Sequence, residues 1–242
     1  MQEIIEHYRA FNLAKKIMEK AHKNQTRVSG EPYELHPIRC FNNYAAFIGY
    51  LDEPETKCYR LEEDGIPFFG VVEVALLHDV IEDTPFTIEE IEKLFQKEGL
   101  SSYFHKRIKD ALERITHDKT MDYPSYIEIC MGNPISALCK MMDLQDNLNV
   151  LSLSKLDAKN YKRAKNYLKY IYQINNEYHF IERTQKYRQE HYQKKNRNKR
   201  SSSIKFLCHK EKTRDRPYDS SATCIRKVLN PERWEINNYL SS

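Results

Sequence analysis

Apolar residues return at three- and four-residue intervals along most of the first 180 positions. Ile4-Ile5, Tyr8, Phe11, Ala14, Ile17-Met18 and Ala21 trace one face of an amphipathic helix. The same period runs from Ile88 to Phe95 behind a Thr87 N-cap signal, from Phe104 to Ile115, and from Tyr161 to Ile174. Strict alternation, the mark of a half-buried strand, is scarce. The six glycines and nine prolines fall mostly at the junctions between these segments, including Gly30, Pro32, Pro54, Gly65, Pro85, Pro124 and Pro134. The pattern predicts an all-α bundle of about seven or eight helices.

Composition narrows this picture without changing it. A chain of 242 residues that is 40% hydrophobic buries one ordinary core, so one main domain is expected. No apolar run approaches the length that crosses a bilayer, and the Met1–Glu6 start lacks an apolar signal core; both predict a cytoplasmic protein with no membrane partner. The six cysteines form no Cys-x-x-Cys pair, which predicts reduced thiols acting as small hydrophobes. Charge divides the chain: residues 181–242 hold 16 Lys+Arg against 7 Asp+Glu, and the first 180 hold 23 against 28. The stretch Gln193–Ser203, rich in Lys, Arg and Ser, reads as a solvated linker or tail. A folded domain over 1–180 and a basic extension over 181–242 are expected.

Chemistry concentrates in the run His78-Asp79-Val80-Ile81-Glu82-Asp83. On a helix, His78 would stack over Glu82 and Asp79 over Asp83, giving one imidazole and three carboxylates on one stripe. The apolar flank Val71–Leu77 presses that stripe against the core, where unpaired charge costs several kcal/mol. A divalent cation removes the cost. His36-Pro37 predicts a helix start, with proline at the first helical position and His36 as N-cap; alone, His36 reads equally well as a solvent-facing loop histidine. Asp143 sits with Asp146 and Asn147 beside apolar positions 141, 144, 148 and 151, a pattern that helix capping would also produce.

Taken in order, these segments resemble the HD-domain hydrolase of the RelA/SpoT family. The resemblance is carried by Gln25-Thr26-Arg27-Val28-Ser29-Gly30-Glu31-Pro32-Tyr33, His36-Pro37, Ala75-Leu76-Leu77-His78-Asp79-Val80-Ile81-Glu82-Asp83-Thr84, Thr116-His117-Asp118-Lys119-Thr120 and Asp143-x-x-x-Asn147, over roughly residues 8–175. It implies that His36, His78, Asp79 and Asp143 hold one divalent cation, typically Mn²⁺, a metal suited to mixed imidazole and carboxylate ligands. Glu82 and Asp83 would orient the attacking water and move its proton. The implied substrate is ppGpp or pppGpp, losing its 3′-pyrophosphate to leave GDP or GTP. Arg27 matches the arginine beside the nucleotide, Asn147 the asparagine near the ribose, and Lys119, Arg163 and Tyr167 the residues that meet the phosphates.

The chain departs from the family pattern at several points. Between His36 and His78 lie 41 residues, more than the family separation, and the excess falls in Gly49–Gly65, which is expected at the pocket mouth. Asp146 stands where the family more often has His or Tyr, and there it predicts repulsion toward phosphate unless a cation pairs with it. Val150 replaces a commonly polar position, and Val28 one that is basic in some members. The 62 residues after 180 hold no phosphate-cradling loop, so a stand-alone hydrolase without a synthetase domain is expected. In that tail Cys208-His209 and Cys224 fit no zinc module. Its interleaved aromatics, Tyr187, Tyr192, Phe206, Tyr218, Trp234 and Tyr239, fit either nucleic-acid binding or packing on the domain. Two alternatives stay open: an HD phosphohydrolase for another nucleotide, such as a deoxynucleoside triphosphate or NADPH, and a catalytically silent nucleotide- or nucleic-acid-binding module.

Overall fold

Helix follows helix through the computed structural model, which describes residues 2–49, 54–149 and 157–190. The elements are α1 (Gln2–Ala21), α2 (Leu35–Ile48), α3 (Pro54–Glu63), α4 (Val71–Leu77), α5 (Val80–Asp83), α6 (Ile88–Lys97), α7 (Ser101–Tyr103), a π-helical turn (Phe104–Ile108), α8 (Lys109–Ile115), α9 (Tyr123–Cys130), α10 (Pro134–Asn147) and α11 (Ala158–Tyr178). Residues 180–190 are helical as well. Among the described residues there is no strand, only an isolated bridge between Thr26 and Pro32. The all-α expectation holds. More segments are present than the pattern predicts, in part because two runs that read as single helices are broken, at residues 78–79 and across the π turn, and in part because α3 and residues 180–190 add helices of their own.

Local sequence explains most of the boundaries. Thr87 and Glu90 form a reciprocal capping box at the start of α6. Asp122, Asn133 and Asp157 each cap the helix that follows, accepting from Ser125 N, Ile135 N and Asn160 N, and prolines occupy the first turns of α9 and α10. The N-terminus of α2 differs from expectation. Glu34 already has helical dihedrals and is the N-cap, so the helix begins at Leu35 and His36 lies one residue inside it. The turn Pro32-Tyr33-Glu34 winds into the helix early, with His36 N donating to Tyr33 O at 3.0 Å. Pro37 still falls in the first turn, where its missing N–H costs nothing.

The core is organised around α4, all seven of whose residues are buried. It packs against α1, α2 and α10, and α10 packs in turn against α2, α11 and α8. Glu73 within it is fully buried, bonded to His7 Nδ1 at 2.8 Å and to the Tyr103 hydroxyl at 3.1 Å. At its N-terminal end Gly70 has φ +90°, and a methyl at that position would run into the carbonyl oxygen of Arg107 in the π turn.

The Gly49–Gly65 excess packs at this same N-terminal end, away from the mouth where it was expected. Cys58 and Leu61 of α3 are buried, and Glu62 accepts from Phe68 N at 2.7 Å, Phe69 N at 3.1 Å and Arg107 at 3.0 Å. Residues 50–53 of the excess lie outside the described residues. Helix 180–190 joins the domain through buried Phe180, Thr184 and Tyr187 and through Arg183 donating to Gly65 O at 3.2 Å. Residues 1–193 form one compact unit. The expectations for the rest of the tail, including Cys208, His209, Cys224 and nucleic-acid binding, lie outside the described residues. Among the described residues no helix is long and apolar enough to cross a membrane. Cys40, Cys58, Cys130 and Cys139 are buried without a disulfide, and burial pushes the Cys130 thiol up to about 11.

Gly70 and Gly30 separate two effects. Both have positive φ, but Gly30 faces open space. Gly30→Ala is expected to cost about 1 kcal/mol from the left-handed backbone alone. Gly70→Ala adds the collision with Arg107 and is expected to cost at least about 2 kcal/mol more than that. Urea unfolding of the two variants beside the parent checks the order.

Candidate metal centre

His36 from the first turn of α2, His78 and Asp79 from the α4–α5 junction, and Asp143 from α10 converge on one point. His36 Nε2 lies 3.3 Å from His78 Nε2, 3.1 Å from Asp143 Oδ1 and 3.5 Å from Asp79 Oδ2. His78 Nε2 lies 3.3 Å from Asp79 Oδ1 and 3.9 Å from Asp143 Oδ1. His36, His78 and Asp143 are each no more than 5% exposed. The expected helical stripe is interrupted to achieve this. His78 and Asp79 leave the regular helix, Asp79 at φ −95°, ψ −6°, in the sparsely used bridge region where many functional residues sit. The break turns both side chains inward, toward His36.

Whether these residues suit a cation is decided by the other nitrogen of each ring. His36 Nδ1 lies 2.7 Å from Asp146 Oδ2, and His78 Nδ1 lies 2.9 Å from the Ala75 carbonyl oxygen. Both partners are acceptors, so each Nδ1 can hold its ring's hydrogen while each Nε2 offers a lone pair to a cation at the shared point. Two imidazole lone pairs and two carboxylates facing one another in a buried place repel unless a proton or a cation lies between them. The donor set, two nitrogens and two carboxylate oxygens, fits a divalent ion of borderline to hard character.

Cys40 also comes near, since one ligand atom each from His36, Cys40, His78 and Asp143 fall within 4.8 Å of one another. Its sulfur, however, lies 3.8 Å from His36 Nδ1, the nitrogen turned away from His78. Burial pushes its thiol up to about 11. Asp79 brings Oδ1 to 3.3 Å from His78 Nε2 and Oδ2 to 3.5 Å from His36 Nε2, the nitrogens that face each other.

Around the four lies a shell that sequence reading missed in part. Lys140 is buried and donates to Asp143 Oδ2 at 2.8 Å, with its ammonium 4.9 Å from the Tyr126 ring centroid. Burial works against its charge, but Asp143 and the Tyr126 and Tyr123 phenols hold its pKa well above the usual lysine value. Burial likewise opposes ionisation of Asp143, and the Lys140 ammonium foremost holds its carboxyl well below the usual range. Tyr33, quoted in the motif but given no role, places its hydroxyl 2.7 Å from Asp79 Oδ2 and 2.6 Å from Asp83 Oδ2 while its ring stacks on His22. Asp146, expected to repel phosphate, faces His36 and two arginines instead: Arg39 donates to both its oxygens and Arg27 Nη1 lies 3.3 Å from Oδ2.

The remaining predicted residues divide into near and far. Glu82 is half-buried; burial first, and then the charges of Asp79 and Asp83, raise its pKa, while His117 N donates to it at 3.4 Å. Arg27 donates to Asn147 Oδ1 at 2.7 Å, and Asn147 donates to Asp143 Oδ1 at 2.6 Å, which brings both to the rim of the centre. Tyr167 is half-buried within electrostatic reach of Arg163, Asp143, Lys140 and Arg27, and burial raises its phenol. Arg163 is exposed and donates to Asn160 Oδ1 at 2.8 Å. Lys119 is exposed on the turn after His117.

Comparison with known proteins adds relatives to this geometry. No family model matches the chain. The bifunctional (p)ppGpp synthase/hydrolase SpoT of Escherichia coli K12 is 31% identical over 149 residues, 59% of this chain and 18% of its own length. Over those residues the chain is similar to SpoT. A guanosine-3′,5′-bis(diphosphate) 3′-pyrophosphohydrolase of Aquifex aeolicus is 26% identical over 159 residues, 62% of this chain and 20% of its own. The chain thus spans about a fifth of the length of these curated RelA/SpoT relatives. A solved structure described as a metazoan ortholog of SpoT that hydrolyses ppGpp covers 75% of this chain and 95% of its own at 20% identity, with a TM-score of 0.48, too loose a likeness to add to the sequence relation.

Lys140 provides a test of the electrostatics independent of any reaction. Lys140→Met leaves the Asp143 carboxylate buried without its ammonium and is expected to lower stability by about 3 kcal/mol in the presence of chelator. Saturating Mn²⁺ is expected to recover part of that loss. Chemical unfolding with and without the ion measures both.

Proposed function

We propose that this protein is a metal-dependent phosphohydrolase that removes the 3′-pyrophosphate of (p)ppGpp, giving GDP or GTP and pyrophosphate, in a cytoplasmic setting. The observation that carries the reading is the convergence of His36, His78, Asp79 and Asp143 beside the Glu82-Asp83 pair, in a chain related to SpoT. The compact unit over residues 1–193 carries the reaction, so the folded domain takes in the first part of the basic 181–242 stretch. The four residues hold one divalent cation, Mn²⁺ by resemblance to the family. When bound, such an ion polarises water and a phosphoryl oxygen, making a nucleophile available near neutral pH.

The chain's own groups do the rest. Water attacks the phosphorus joined to the 3′-oxygen; that P–O bond breaks, the 3′-oxygen takes up a proton, and pyrophosphate leaves with the water's oxygen. Glu82, whose raised pKa brings its proton exchange closer to neutrality, takes the proton from water. Asp83, steadied by the Tyr33 hydroxyl, orients that water. Arg27 and Asn147 meet the nucleoside, and Arg163, Tyr167 and Lys119 meet the phosphates as charge-assisted donors.

The test is product formation from ppGpp in the presence of Mn²⁺. GDP and pyrophosphate are expected, and both should vanish with chelator or with Asp79→Ala. Glu82→Gln is expected to lower kcat by about 10²- to 10⁴-fold while Mn²⁺ affinity is largely retained. Absence of ppGpp turnover, with phosphate or pyrophosphate released from a different nucleotide, would keep the centre and reassign the substrate. Nucleotide binding without turnover of any kind would identify a sensor.

A further inference from the structure

Asp146 is buried, 4% exposed, and departs from the family pattern, yet four of the contacts that shape the centre pass through it. Its Oδ2 lies 2.7 Å from His36 Nδ1. Arg39 donates from Nε to Oδ1 at 2.6 Å and from Nη2 to Oδ2 at 3.0 Å, a two-point clamp. Arg27 Nη1 donates to Oδ2 at 3.3 Å. Arg39 is fixed from its other side by Glu31, at 3.0 and 2.8 Å. Two carboxylates and two guanidiniums thus balance in charge. The contacts close into a ring: Asp143 to Asn147, Asn147 to Arg27, Arg27 to Asp146, Asp146 to His36, and His36 Nε2 back to Asp143 at 3.1 Å.

We infer that Asp146 is the positioning residue of the centre: held by Arg39, it keeps the hydrogen of His36 on Nδ1 and fixes the ring so that Nε2 is presented to the cation. This rests on the metal-centre reading above. An imidazole whose outer nitrogen donates to a carboxylate is a stronger and better-oriented ligand than one that donates to a carbonyl. His78 has the carbonyl arrangement, through Ala75 O. The two histidines are therefore unequal, and His36 depends on a side chain where His78 depends on backbone. Asp146 also lies three residues from Asp143 on α10, so one helix supplies a direct ligand and the group that orients a second. Arg39 lies three residues from His36 on α2, so the clamp and its target are paired on both helices.

Calorimetric titration of the full chain with Mn²⁺, after stripping with chelator, tests this. Asp146→Asn keeps the shape and removes the charge; Mn²⁺ binding is expected to weaken by about 10- to 100-fold. Asp146→Glu is expected to recover part of that loss, and Arg39→Gln, at a more exposed position, to weaken binding severalfold by loosening the clamp. Unfolding in chelator, measured alongside, separates a merely structural role, which would lower stability and leave Mn²⁺ affinity where it was. Affinity within twofold of the parent in Asp146→Asn, or in Arg39→Gln if the first variant does not fold, would overturn the inference. His36→Ala is the control: if the parent chain binds Mn²⁺ no better than His36→Ala, the metal-centre reading itself fails, whereas strong binding by the parent with an unaffected Asp146→Asn sinks only the role of Asp146.

Discussion

The Nε2 atoms of His36 and His78 lie 3.3 Å apart and 3.1–3.9 Å from carboxylate oxygens of Asp79 and Asp143, where α2, the α4–α5 junction and α10 come together. Nothing in that set of four donates once each Nδ1 holds its ring's hydrogen, so the cluster is a concentration of lone pairs and negative charge with little water to spread it. The surroundings answer this electrostatic problem piece by piece. Lys140 neutralises one oxygen of Asp143, Asn147 donates to the other, and the Tyr33 hydroxyl serves Asp79. Each of these offsets part of the cost, and none occupies the point where the four groups face each other. Under the proposed reading a cation completes this arrangement, since a buried cluster of like-charged acceptors is otherwise less stable than a hydrophobic filling.

Placing such a cluster requires a scaffold that does not yield, and α4 provides it. Burial of all seven of its residues means that any shift of the helix disturbs the core on every side. Its two ends then divide the work. At the N-terminal end Gly70 meets the π turn, Glu73 ties in His7 and Tyr103, and Glu62 of the extra segment caps the approach through Phe68 and Phe69. The C-terminal end breaks at His78 and Asp79. That break is tolerable because the other end is anchored, and it lets two adjacent residues, which on an unbroken helix point about 100° apart, face the same point.

The four residues of the cluster were legible in the sequence because they are chemically rare in an apolar setting and fall in a fixed order. His78 and Asp79 beside Val71–Leu77 could hardly be anything but a buried polar site, and the helices around them announced themselves by period. What was not legible depended on direction across the seam between helices. Asp146 read as facing the phosphates, since one sequence carries no information on which helix packs beside α10; with α2 there, the same carboxylate points at His36 and Arg39. Tyr33 sits in a turn, which has no period to reveal where its hydroxyl goes. The breaks at 78–79 and at Phe104–Ile108 were hidden because buried residues four apart, such as Phe104 and Ile108, suit a regular helix as well as a π turn. The extra segment before Gly65 was misjudged for a similar reason: its length was visible, but buried Leu61 and Cys58 look like any other apolar pair, and the ties of Tyr59 and Glu62 to Phe68 and Phe69 have no signal in one sequence.

The ring through Asp146 also constrains how Arg27 meets a nucleotide in the proposed reading. Its Nη1 is committed to Asp146, its Nη2 to Asn147, and its Nε lies 3.9 Å from Glu31. A guanidinium used in this way has spent much of the fork that would grip a phosphate, and its partners already supply negative charge on that side. What remains is the planar face, next to Val28, which is 95% exposed. Guanidinium faces stack on aromatic rings, and the contact is worth more when the plane is held still before the ring arrives. The departure at Asp146 thus falls on both halves of the site: the carboxylate that orients a metal-ligating histidine also fixes the plane on which a base would lie. In that reading a change at this one position would reach the cation through His36 and the nucleoside through Arg27, so the two binding events would share a residue that touches neither ligand.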